Sequence, residues 1–171
     1  MTGLIFSRDT QDLIRRLSDH RVRYLIVGGM AVIYHGYARL TGDVDFLIEP
    51  TKANALRAYR ALLEFWRGSI PFVNGPADLL AKGAIIQFGT RPNRIDFMSS
   101  ITGVTFKEAW AGRIREKIQT RDGEYPLPII GIAALEKNKR ALGRHKDLDD
   151  LLYIKPLIGR SKKKPKRESS T

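Results

Sequence analysis

The sequence contains no cysteine. That excludes a disulfide framework, a cysteine nucleophile and Cys-ligated zinc. Histidine is nearly as scarce, and His20, His35 and His145 show no ligand spacing, which argues against zinc altogether. No apolar run approaches the length needed to cross a membrane, and the first ten residues lack a signal-peptide core. A cytoplasmic location is therefore expected. No internal repeat is visible. Acidic residues are the minority: 18 Asp and Glu stand against 30 Lys and Arg, a formal charge of +12. A surplus of that sign favours polyanionic partners such as nucleic acid.

What is present suits one domain. The chain has 171 residues, of which 43% are apolar, enough for a real core and against wholesale disorder. The stretch from Arg160 to Thr171 carries six cations and one glutamate, so it holds +5 of the charge and leaves +7 on the remaining 159 residues. That stretch has no apolar pattern and is expected to be a disordered basic tail following a domain of residues 1–159.

Periodicity predicts alternating helices and strands. A first helix spans Thr10 to Leu17, capped by Asp9 or Thr10, and a buried strand covers Tyr24 to Val27. A short helix follows from about Ala31 to Tyr37, then a strand from Val44 to Ile48. Thr51 caps a long helix, Lys52 to Trp66, with Leu56, Tyr59, Leu62 and Leu63 on its apolar face. Residues 67–83 read as a loop with a short helix at Ala77 to Ala81. Strands at Ala84 to Phe88 and Arg94 to Met98 form a hairpin across Gly89 to Asn93. Thr105 caps a helix, Phe106 to Ala111. Strands at Arg113 to Thr120 and Tyr125 to Ile129 turn at Asp122-Gly123, and helices at about Ile132 to Leu142 and Lys146 to Ile158 close the domain. The fold class expected is α/β (α+β): a mixed sheet flanked by helices, with a C-terminal helical pair.

Most of the chemistry is concentrated between Val27 and Ile48. The first strand runs into Gly28-Gly29, and the next carries Asp43-Val44-Asp45. Strand side chains alternate, so Asp43 and Asp45 share one face while Val44 and Phe46 share the other. Two carboxylates on one face of an apolar strand repel each other and are costly to desolvate. A divalent cation with a phosphate substrate removes that cost, and Mg²⁺ favours one or two carboxylates, waters and phosphate oxygens. Glycines allow close backbone approach to a phosphate chain, and N–H groups at a helix start favour anions. Together these features suggest phosphoryl or nucleotidyl transfer. Plainer roles remain open: Asp43 as a turn residue, Asp45 as a sheet charge, and Gly28-Gly29 as a tight turn.

The pattern resembles the nucleotidyltransferase superfamily with the DNA polymerase beta type of fold. Its signature is an apolar strand, Gly-Gly or Gly-Ser, a helix, an Asp-x-Asp strand and a carboxylate from a later strand. Asp96, in Arg94-Ile95-Asp96-Phe97-Met98, is the candidate third carboxylate; pairing with Arg94 or Arg91 is its plainer role. The run Arg39-Leu40-Thr41-Gly42-Asp43-Val44-Asp45 is similar to the Arg-x-Thr-x-Asp-x-Asp run of AbiEii-type nucleotidyltransferases, many of them toxins of toxin–antitoxin pairs. The stretch from Lys139 to Asp150 resembles their later lysine helix and Arg-x-x-Asp-Leu-x-Asp run. The resemblance covers residues 24–152, about three quarters of the chain.

The resemblance implies an enzyme that moves a nucleoside monophosphate from an NTP to an acceptor hydroxyl. It implies two Mg²⁺ ions held by Asp43, Asp45 and Asp96, with Asp96 able to accept the hydroxyl proton. Gly28, Gly29, Arg39, Thr41 and Lys139 are the candidate nucleotide contacts. Thr41 can equally brace the strand, Arg39 can pair with a carboxylate, and Lys139 can be an ordinary solvated lysine. Asp147 and Asp150 share a helix face and suit Arg144, Lys146 or helix N-termini better than metal. With the basic body, the resemblance makes RNA the expected acceptor, a tRNA 3′ end among the candidates, and an antitoxin protein a possible partner. The alternatives are transfer to a small molecule or protein hydroxyl, and a non-catalytic nucleic-acid or partner-binding module on the same fold.

Overall fold

The computed structural model describes residues 4–161. Twelve elements follow in order: α1 (Arg8–Asp19), β1 (Tyr24–Val27), α2 (Gly28–Tyr34), β2 (Asp43–Ile48), α3 (Lys52–Phe65), β3 (Ile85–Phe88), β4 (Arg94–Met98), α4 (Phe106–Ala111), β5 (Ile114–Thr120), β6 (Gly123–Ile129), α5 (Ile132–Leu142) and α6 (His145–Ser161). The strands form one six-stranded sheet in the order β3-β4-β2-β1-β6-β5. β2 pairs parallel with β4, and β1 parallel with β6; the other neighbours are antiparallel. The fold is thus mixed α/β, as the periodicity predicts. No helix among the described residues is long and apolar enough to cross a membrane.

Parity gives the sheet two different faces. Phe46 stacks on Phe97 at 5.1 Å between ring centroids, and Phe97 leads through Phe88 to Trp66 at the end of α3. That face is apolar, with Phe46, Phe88 and Phe97 buried. The opposite face carries Asp43, Asp45 and Leu47 on β2 and Arg94, Asp96 and Met98 on β4. Leu47 is buried completely, whereas the front of β2 is only partly covered. The chain therefore encloses a core at one end of this face and leaves an acidic edge at the other.

Several boundaries differ from expectation for local reasons. Ser7, not Asp9 or Thr10, caps α1, its Oγ accepting the Thr10 N–H at 3.2 Å. α2 begins at Gly28 rather than Ala31, so both glycines lie in its first turn. A 3₁₀ turn at Pro76–Leu80 replaces the short helix expected at 77–81. On α3 the fully buried apolar side chains are Ala55, Ala58, Ala61 and Leu62, while Leu56 is 40% exposed. α3 packs on α1, and buried alanines are small enough to let neighbouring elements approach closely. Thr51 caps α3 as expected, accepting the Asn54 N–H at 3.2 Å. α6 runs to Ser161, past the boundary expected at 159; the rest of the basic tail lies outside the described residues.

Candidate active site

The register of the sheet places the acidic residues. Asp45 on β2 is directly opposite Asp96 on β4, and Gln87 on β3 is opposite Asp96 in turn. Adjacent strands lie about 4.8 Å apart, so three polar side chains from three strands form one row. Asp43 and Arg94 form the next row toward the open edge. Both rows line a cavity of about 710 Å³. All eight candidate residues from the sequence line it: Gly28, Gly29, Arg39, Thr41, Asp43, Asp45, Asp96 and Lys139.

The carboxylates differ in their partners. Arg91 forks onto Asp43, its Nε at 3.0 Å from Oδ1 and its Nη2 at 3.1 Å from Oδ2. Arg94 Nη2 bridges Asp43 Oδ2 at 2.8 Å and Asp96 Oδ2 at 3.1 Å. Gln87 donates to the same Asp96 oxygen at 3.3 Å. The other oxygen, Asp96 Oδ1, is buried and lacks a hydrogen bond; Arg94 Nε lies 3.0 Å away without the alignment for one. The plainer pairing of Asp96 with Arg94 thus exists, and it leaves one carboxylate oxygen unsatisfied.

Asp45 is the least neutralised. Its support is the Gly29 backbone N–H, with Lys139 acting at longer range. Burial first, then the charges of Asp96 and Asp43, push its carboxyl up to about 6. The glycine pair makes this placement sterically feasible. A Cβ on Gly28, whose φ is +63°, would stand 2.1 Å from Asp45 Oδ2. One on Gly29 would stand 2.6 Å from Thr41 Oγ1. Thr41 also donates to the Asp43 carbonyl at 3.4 Å, bracing the start of the strand.

Lys139 is not solvated. Its side chain is 3% exposed, and Nζ lies 2.9 Å from both Asp147 Oδ1 and Asp150 Oδ2. Asp147 also takes Arg144, at 2.6 Å from its Nε. Burial raises the Asp147 pKa, but the Arg144 and Lys139 hydrogen bonds outweigh it and hold the carboxyl below its usual range. Arg39 Nε lies 2.9 Å from Asp150 Oδ1. Asp147 and Asp150 pair with cations as expected, although Lys139 and Arg39 rather than Lys146 are the partners besides Arg144. Among the described residues, no group of three acidic or imidazole side chains stands ready as a metal cage.

Pattern reading missed several cavity residues. Lys82 and Lys146 stand exposed at the rim, with no carboxylate in ion-pair distance among the described residues. Seven cationic side chains line the cavity in all, against three carboxylates. Gln87 was legible in principle: hairpin parity puts it on the face of Asp96. Lys82 has no such signal, because it lies in an irregular loop.

Comparison with known proteins is sparse. No family model matches the sequence, and no curated protein matches it. A solved structure, that of an antigenic nucleotidyltransferase-like protein from Paracoccidioides brasiliensis, is similar at 16% identity, covering 89% of this chain and 78% of that chain with a TM-score of 0.46.

Proposed function

We propose that the chain is a Mg²⁺-dependent nucleotidyltransferase that moves a nucleoside monophosphate from an NTP to a hydroxyl of RNA. The observation that carries this is the register pairing of Asp45 with Asp96, next to Asp43, in a cavity with surplus cations. The donor set suits hard divalent cations. Three carboxylates stand on two adjacent strands, the buried Asp45 carboxyl is pushed up to about 6 for want of a close cation, and Asp96 Oδ1 is buried without a hydrogen bond. Asp43, Asp45 and Asp96 would hold the ions. When bound, Mg²⁺ would ionise Asp45 fully and lower the pKa of a coordinated hydroxyl.

The residues of the chain supply the rest. Lys82, Lys146 and the arginines now engaged by the carboxylates offer donors for a triphosphate. Asp96 accepts the proton of the acceptor hydroxyl. The acceptor oxygen bonds to the α-phosphorus, the bond to the β-phosphate oxygen breaks, and pyrophosphate leaves. Lys139 places a buried positive charge near Asp45, which favours its ionised form. The toxin role and an antitoxin partner rest on the sequence resemblance alone.

Incubation with each α-labelled NTP, Mg²⁺ and total RNA, followed by separation of RNA, protein and small molecules, tests the reading. Label on RNA is expected. Label on protein or on a small acceptor would move the acceptor class, and no transfer from any NTP would sink the enzyme.

A further inference from the structure

A second opening, of about 390 Å³, lies at the other end of β1 from the cavity. Tyr24 lines this groove and Val27 lines the cavity, about 10 Å apart along the strand. Val22, Tyr24, Pro126 and Pro128 give the groove an apolar floor. Arg115 is opposite Pro128 and Lys117 opposite Pro126, so the four share one face of the β5–β6 hairpin. Arg21 enters from the end of α1, and Trp110 and Arg113 from the end of α4.

The cations here are gathered against their own repulsion. Trp110 carries the Arg113 guanidinium 3.8 Å from its ring centroid and that of Arg23 at 4.6 Å. Burial, followed by the charges of Arg115 and Arg23, lowers the pKa of Arg113 from its ordinary value. One acid, Glu116, lines the groove among these cations, and it accepts the Tyr34 hydroxyl; of the acids nearby, Glu49 pairs with Arg23 and Glu124 with Lys117. Among the described residues, no carboxylate lies in ion-pair distance of Arg21, Arg113 or Arg115.

We propose that this groove docks the sugar–phosphate backbone of the acceptor RNA, away from the end that reacts. The proposal rests on RNA being the acceptor. Guanidinium groups pair with phosphate oxygens through parallel N–H donors, and an apolar floor between them takes ribose or base. The groove and the cavity sit at the two ends of one strand, so a polymer can engage both while a mononucleotide cannot. Docking at the groove raises the local concentration of the reacting hydroxyl at the cavity. Its loss therefore raises the KM for RNA rather than lowering kcat.

Anisotropy of a fluorescent single-stranded RNA of about 20 nucleotides, titrated with the full chain at several salt concentrations, tests this. The groove pair is Arg21→Glu with Arg115→Glu. The control pair, Arg8→Glu with Arg60→Glu, makes the same charge change at exposed positions that line neither opening. Thermal melting checks that both pairs fold, and the single Arg115→Ala variant serves if the groove pair does not. The groove pair is expected to weaken RNA binding about tenfold more than the control and to flatten the log–log salt dependence by about 1.4, two phosphate contacts' worth. Equal losses in both pairs would mean diffuse attraction and overturn the groove. Unchanged RNA binding with lost binding of polyglutamate would assign the groove to an acidic protein instead. RNA labelling with no groove dependence sinks this proposal and spares the transferase; groove-dependent RNA binding without transfer does the reverse.

Discussion

Asp45 lies between two other carboxylates, and no cation is in ion-pair distance of it among the described residues. Its folded pKa, about 6, is above the ordinary value of 3.8. The folded state therefore holds that proton more tightly than the unfolded chain does. The associated stability is fully present below the ordinary value and is lost as the pH rises through about 6. Asp45→Asn removes this dependence while keeping an acceptor for the Gly29 N–H. Without divalent ions, the variant should match the wild type near about pH 4 and be more stable by on the order of 1–3 kcal/mol near about pH 7.5. Thermal melting across that range checks it, and a stability difference that does not change with pH would refute the cause given. With Mg²⁺ and NTP present, the wild type alone should gain stability, and only the wild type should transfer label. Asp96→Asn keeps shape and removes the base, so NTP binding should persist while turnover falls by about 10² or more. Gly28→Ala combines a left-handed backbone with a clash against Asp45 Oδ2, and should be both unstable and inactive.

At the scale of elements, α6 acts as a clasp. It holds Lys139 of α5 through Asp147 and Asp150, and it holds the loop before β2 through the Arg39–Asp150 pair and the stack of Tyr37 on Tyr153 at 3.7 Å. That loop delivers Thr41 and Asp43. The clasp is made of charges that are nearly all buried, so removing one partner is expensive even where the whole group adds little stability. Lys139→Met should destabilise by about 3–5 kcal/mol in denaturant titration, because it leaves two buried carboxylates short of a cation. Lys139→Met combined with Asp147→Asn and Asp150→Asn should recover part of that loss. If the triple variant is no more stable than the single one, the buried charges are not the cause.

At the scale of the molecule, positive charge is distributed between body and tail. Residues 162–171 carry five cations and one glutamate, a net +4, and follow α6 directly. Ending the chain at Ser161 should flatten the salt dependence of RNA binding, since each lost phosphate contact removes about 0.7 to 0.9 from its slope. Turnover at saturating RNA should survive, because every candidate site residue lies upstream. A folded truncation that binds NTP and fails to turn over would make the tail part of the acceptor site.

The sequence by itself determined the elements that are locally encoded. The limits of β4, α4 and α5 are those expected, because caps, glycines and short-range periodicity act within a few residues. The same holds for the shared face of Asp43 and Asp45, which follows from strand parity alone. It did not reveal that alanines are buried on α3 while Leu56 is exposed, since that depends on how closely distant elements approach. Nor did it decide between roles for Lys139 and Arg39, each compatible with a phosphate or a carboxylate. Only the tertiary structure set Asp45 opposite Asp96, buried Lys139 between Asp147 and Asp150, and placed Arg91 and Arg94 over the acidic rows. These are contacts between residues far apart in the chain, fixed by sheet register and helix packing, and charge pairing depends on the distances that only the folded chain provides.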